Sequence, residues 1–106
     1  MAAPAHWSLE VANILWNGER RRRISAGDAA DFIATLEDLA VVMDTETSRR
    51  AWSDTYALAR EEKLTTYDAA YLELALRLQA TLVSKDADLL RAAKRRGVPT
   101  ISVAAK

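Results

Sequence analysis

Leu64-Thr-Thr-Tyr-Asp-Ala-Ala-Tyr-Leu-Glu-Leu-Ala-Leu76 is the stretch whose reading decides the fold. It opens on threonines suited to a helix N-cap, puts Asp68 in the first turn, and continues with apolar residues at helical spacing. Next comes Ala80-Thr-Leu-Val-Ser-Lys-Asp86, a short apolar run that predicts a buried strand delivering a second acid at its C-terminal end. In open α/β sheets, ligands gather beyond the carboxyl ends of the strands. Two acids delivered there can hold a divalent metal, so the pattern points to chemistry on phosphates.

Working outward, the spacing predicts a helix over 66–78, with Tyr67, Tyr71, Leu74 and Leu78 inward. A strand over 80–84 is followed by a helix over 87–96, which Gly97 should end. Residues 98–103 form a last strand. Upstream, residues 45–63 read as one helix with Trp52, Tyr56 and Ala59 on its buried face. Residues 39–43 read as a strand that stops at Asp44. A helix after Ser25 would be capped by that hydroxyl, answered by Asp28, with Phe32, Ile33 and Leu36 inward. The first helix spans 5–17 between Pro4 and Gly18 and buries Trp7, Val11, Ile14 and Leu15. Strands alternating with helices predict a single α/β domain over 1–106, a parallel sheet flanked by helices on both faces. Only three strands are legible, none before residue 39. The sheet is therefore small, or an N-terminal part is absent.

Composition excludes more than it names. The chain has 106 residues, half of them hydrophobic and 28% charged, with a formal net charge of zero. No global polycation suggests nonspecific nucleic-acid binding. The absence of cysteine removes disulfides, thiolate metal sites and cysteine nucleophiles together. No apolar run approaches the roughly 18 residues of a spanning helix, and no signal-peptide pattern opens the chain. A reduced, cytoplasmic protein without membrane attachment is the expectation.

The sequence resembles a PIN domain of the VapC toxin type. The likeness runs from Ala3-Pro-Ala-His-Trp-Ser-Leu-Glu-Val-Ala-Asn13 through Leu64-Thr-Thr-Tyr-Asp-Ala-Ala-Tyr-Leu-Glu-Leu-Ala75 to Leu82-Val-Ser-Lys-Asp-Ala-Asp-Leu89 and Gly97-Val-Pro. Its most specific block is Tyr67-Asp-Ala-Ala-Tyr-Leu72. The resemblance implies a PIN-like α/β nuclease whose acids gather Mg²⁺ or Mn²⁺ to cut RNA. It also implies a toxin restrained by a VapB-like antitoxin, and a homodimer. Position by position, the implied metal and catalytic acids are Glu10, Asp68 and Asp86. The family's first acid lies on an N-terminal strand that this sequence lacks, so the resemblance is to an N-terminally truncated domain. A catalytically incomplete PIN remnant, serving as an antitoxin-binding or dimerisation module, is the alternative.

Each acid has a structural reading beside the functional one. Asp68 completes a Thr65-x-x-acid capping pattern and suits the positive end of the helix dipole. Asp86 can cap the helix starting at Ala87, and Asp88 can offset the dipole of the same helix. Glu10 lies on a polar edge beside the apolar stripe, with Asn13 one turn on, placed to orient Glu10 or a water. Ser84 is close enough in sequence to support Asp86. His6 reads as a helix-entrance residue, not a base. Arg20, Arg21, Arg22 and Arg23 either grip RNA phosphates or form a solvated connector. Lys94, Arg95 and Arg96 suit a helix C-terminus. Trp7, Trp52, Tyr67 and Tyr71 sit at core spacing and read as packing before base stacking.

Overall fold

The computed structural model describes residues 1–103. Its backbone divides into two compact units, Met1–Met43 and Asp44–Lys106.

In the first unit, strand β1 (Ala2–Ala3) pairs in parallel with β2 (Val42–Met43), Ala2 facing Val42 and Ala3 facing Met43. The Val42 N–H also donates to the Met1 carbonyl at 2.8 Å. Helices α1 (Trp7–Arg20) and α2 (Ala26–Asp38) lie between them in sequence and pack on each other. Strand β1 corrects the expectation of no strand before residue 39. Two alanines carry no β signal of their own, and hydrogen bonds from a partner distant in the chain impose the conformation. The predicted strand over 39–43 shrinks to two residues, because Leu39 is still the C-cap of α2.

Helix α1 runs past Gly18 to Arg20, three residues beyond its predicted end at Asn17. Gly18 instead allows a close approach: a Cβ there would stand 3.1 Å from Ile24 Cγ1. The chain reverses at Arg22, whose φ of 58° is left-handed, and the Arg23 N–H closes on the Gly18 carbonyl at 2.8 Å. Helix α2 begins with the predicted capping box. Ser25 Oγ accepts from the Asp28 N–H at 3.0 Å, and Asp28 Oδ2 accepts from the Ser25 N–H at 3.3 Å. The inward stripes are less buried than the periodicity promised. Trp7, Val11, Leu15 and Leu36 are half-buried, whereas Ile14, Phe32 and Ile33 are exposed. A pair of helices and two-residue strands offers too little surface to cover both stripes.

The second unit holds α3 (Thr47–Arg50), a π-helical turn at Ala51–Thr55, α4 (Tyr56–Glu62), α5 (Thr66–Leu78), β3 (Leu82–Ser84), α6 (Ala87–Arg95) and β4 (Thr100–Ser102). Strands β3 and β4 pair in parallel, with Leu82 opposite Thr100 and Ser84 opposite Ser102. Leu58, Ala69, Leu72, Ala75, Leu82, Leu89, Ala92, Ala93 and Val98 belong to one buried cluster. Helix α5 is its axis, packed against the π turn, α4, α6 and β3. Its buried surface is therefore wider than one stripe. Ala69, Ala70, Leu72, Leu74 and Ala75 are buried, while Tyr67 and Leu78 from the predicted inward set are exposed.

The π turn accounts for Trp52, whereas Tyr56, after it in α4, lies off the side that carries Leu58 and Ala59. One wide turn adds a residue between successive inward positions, so Thr55, Leu58 and Ala59 point into the core. Trp52, predicted to be inward, is 95% exposed, and Tyr56 is exposed beside it. Helix α6 ends as predicted at Gly97, whose φ is 75°. The Val98 N–H reaches the Ala93 carbonyl at 2.9 Å and the Gly97 N–H reaches that of Lys94 at 3.1 Å, a Schellman closure.

Candidate active site

Two of the three nominated acids lie in the second unit, each fixed by a helix start. Thr65 caps α5, its Oγ1 accepting from the Asp68 N–H at 3.1 Å, and this holds Asp68 half-buried in the first turn. Asp86 follows the C-terminal end of β3 and is itself the N-cap of α6. Its Oδ1 accepts from the Leu89 N–H at 2.9 Å, and its own N–H donates to Ser84 Oγ at 3.0 Å. Ser84 thus supports Asp86 through the backbone. Capping engages one oxygen of the Asp86 carboxylate, which has two.

The connection from α5 to β3 spans only residues 79–81, and the two elements pack together, so they run in opposite directions. The N-terminus of α5 accordingly lies toward the end at which β3 delivers Asp86. Thirteen helical residues span about 20 Å against about 10 Å for a three-residue strand. Asp88 pairs with Arg91 one turn along α6 and serves that helix.

Glu10 lies in the first unit, half-buried in the first turn of α1, its Oε1 3.5 Å from Nε2 of His6. His6 is the N-cap residue of α1 and half-buried, so it is less of a surface residue than the sequence suggested. Asn13 is exposed one turn on. Arg20, Arg21, Arg22 and Arg23 are all exposed, with Arg20 Nη2 donating to Asn17 Oδ1 at 2.5 Å.

The donor chemistry suits a hard cation, since every nominated ligand is a carboxylate. Mg²⁺ is commonly held by one or two carboxylates plus waters and substrate phosphate oxygens. Asp68 and Asp86 each supply a carboxylate of that chemical kind. They do not form a cage: among the described residues no three His, Asp or Glu side chains group closely enough to hold a metal ion.

The strongest electrostatic feature of the second unit went unnominated. The Arg77 guanidinium grips Asp44 through Nη1 at 3.0 Å and Nη2 at 2.7 Å. It also grips the buried Glu73 through Nε and Nη2, both at 2.9 Å. Thr47 adds a hydroxyl to Asp44 at 2.9 Å. Hydrogen bonds from Arg77, opposed by burial and helped by Thr47, lower the Asp44 carboxyl to about 2. The same partners, Glu73 first, push the Arg77 pKa further above its already high value. The i, i+4 spacing of Glu73 and Arg77 was readable in the sequence. The partnership with Asp44, across a helix and a turn, was not. At the far end of α4, Glu62 is clamped by Arg96 and Arg95, which hold its carboxyl below the usual range. Those arginines therefore do more than suit a helix dipole.

Comparison with known proteins bears on residues 2–95, which match the model of the PIN domain family. The chain is 31% identical over 82 residues to Ribonuclease VapC3 of Pyrobaculum aerophilum, an alignment covering 77% of this chain. It spans 63% of that relative's length.

Proposed function

The chain belongs to the PIN-domain family, and on that premise we propose that it is a metal-dependent endoribonuclease, the toxin of a type II toxin–antitoxin pair. The reading makes residues 1–106 a single PIN-like domain with RNA as substrate. Glu10, Asp68 and Asp86 hold Mg²⁺ or Mn²⁺. The observation that carries the proposal is the family match along nearly the whole chain, with the three acids in order within it. The positions of Asp68 and Asp86 at two helix starts in the second unit support it. When bound, the ion supplies Lewis-acid polarisation of a phosphodiester and a more acidic water. The protein's own residues do the placing. Thr65 fixes the turn that carries Asp68, while Ser84 and the Leu89 N–H fix the backbone and one carboxylate oxygen of Asp86.

A VapB-like antitoxin, a homodimer and a cytoplasmic location complete the reading. Two apolar grooves of the first unit support a peptide-binding role. One, of about 380 Å³, is lined by Trp7, Val11, Leu15, Ile33 and Leu36; the other, of about 700 Å³, by Ile14, Ile24 and Phe32 among others. No described helix is long and apolar enough to cross a membrane. The sparseness of the acid grouping favours one second reading, a catalytically incomplete remnant that binds antitoxin or a second copy. RNA cleavage with Mg²⁺ separates the two. The nuclease reading expects cleavage by the full-length protein and a loss of at least a hundredfold in Asp68→Asn, on the order of what one catalytic group supplies. Equal cleavage by both proteins removes Asp68 from the mechanism.

A further inference from the structure

The π turn leaves one surface of the second unit without a structural explanation. It turns Trp52 out of the core to 95% exposure, with Tyr56 half-exposed one turn later. Arg60, one further turn on, lies over the Tyr56 ring with its guanidinium carbon 6.0 Å from the centroid. Trp52, Tyr56 and Arg60 therefore follow one another at i, i+4 and i+8 along this helical stretch, and the Arg60 contact puts the last two on one face. Exposed Arg49, paired with Glu46, and exposed Lys63, the C-cap of α4, lie beyond the two ends of this series in sequence. The acids of the same helical stretch lie on a different side. Asp54 is paired with Arg50 and Glu61 with Arg96, and all four line one groove. The carboxylates of residues 51–62 are thus engaged by arginines, whereas the Arg60 guanidinium stands against the Tyr56 ring.

We propose that Trp52, Tyr56 and Arg60 form a stacking platform for unpaired bases of single-stranded RNA, a contact that deepens the ribonuclease reading and rests on it. Proteins that hold single strands combine aromatic faces, on which bases stack, with cations that follow the phosphates. An arginine already stacked on a ring presents both in one unit. A protein partner is the other chemistry able to use an exposed Trp. Interface anchors of that kind sit inside a rim of contacts that exclude water. Trp52, at 95% exposure, has no such rim around it, and the cation over the neighbouring Tyr56 ring favours a polyanion.

The experiment is binding of a fluorescein-labelled 12-nucleotide oligouridine to the full chain in EDTA, followed by anisotropy. Working without metal separates binding from cleavage. Trp52→Ala should weaken binding about tenfold, the scale of one lost stacked base, and Trp52→Phe should restore most of it. Arg60→Ala should lower the dependence of log affinity on log salt by about one unit. Trp52 is exposed, so neither of its substitutions touches the core. Unchanged affinity in Trp52→Ala overturns the platform, even if Asp68-dependent cleavage persists. A drop in sedimentation mass in Trp52→Ala also overturns it, by assigning Trp52 to a contact between copies. Trp52-dependent binding without any metal-dependent cleavage upholds the platform and removes the nuclease reading instead.

Discussion

The two units spend their apolar residues in opposite ways. The second unit surrounds α5 with a continuous cluster, in which Leu72, Ala69, Ala92 and Ala93 are wholly or nearly wholly removed from water. It then ties its helices together with Arg77, Asp44, Glu73, Glu62, Arg95 and Arg96. The first unit has almost no interior. Ala3, Pro4 and Ala29 are buried, while larger side chains such as Ile14, Trp16, Phe32 and Ile33 remain open to solvent or line grooves. A segment of 43 residues lies near the size at which a core alone stops sustaining a fold. The lesson is a division of labour, with stability concentrated in one unit and unsatisfied apolar surface in the other.

Paired truncations sharpen that contrast most. Leu72 is 0% exposed, so Leu72→Ala should cost about 2–5 kcal/mol through lost transfer energy and the cavity left behind. Phe32→Ala removes a larger side chain that is already half in water, and should cost no more than about 1.5 kcal/mol. Urea unfolding with a constant m-value measures both. A Phe32→Ala cost equal to that of Leu72→Ala would break the distinction.

Acid should act on the second unit through its ion pairs. The folded pKa of Asp44, about 2, lies below the ordinary 3.8 of an aspartate carboxyl. A group depressed in this way stabilises the fold fully above its unfolded pKa, and the contribution disappears as pH falls from about 4 toward 2. The size is on the order of 2 kcal/mol. Asp44→Asn should flatten that part of the stability–pH curve in denaturant titrations. An unchanged curve would mean that Arg77 does not hold Asp44 in solution.

Local rules were legible where local chemistry decides. The bounds of α5 at Thr66–Leu78 follow from the Thr65 cap and the apolar run, and the Ser25–Asp28 box and the Gly97 stop behave as their residue types require. Partners distant in sequence decided what stayed hidden. Strand β1 is made by β2, and the role of Asp44 is made by Arg77. Trp52 was misplaced for a different reason. A π turn keeps the helix but breaks the 3.6-residue repeat, so Trp52, inside it, rotates out of the predicted phase. At the candidate site, the sequence found helix-start positions for Asp68 and Asp86, and both capping alternatives were realised locally: Thr65 caps the helix of Asp68, and Asp86 caps its own. Whether carboxylates from separate segments share a cation is a tertiary property that spacing along a chain does not encode.

Calorimetric titration of the full-length protein with Mn²⁺ tests that sharing most directly. The account predicts saturable binding in the micromolar range that is abolished in Asp86→Asn and weakened at least tenfold in Glu10→Gln. Binding of equal strength in all three proteins, or none in the unsubstituted one, would contradict it.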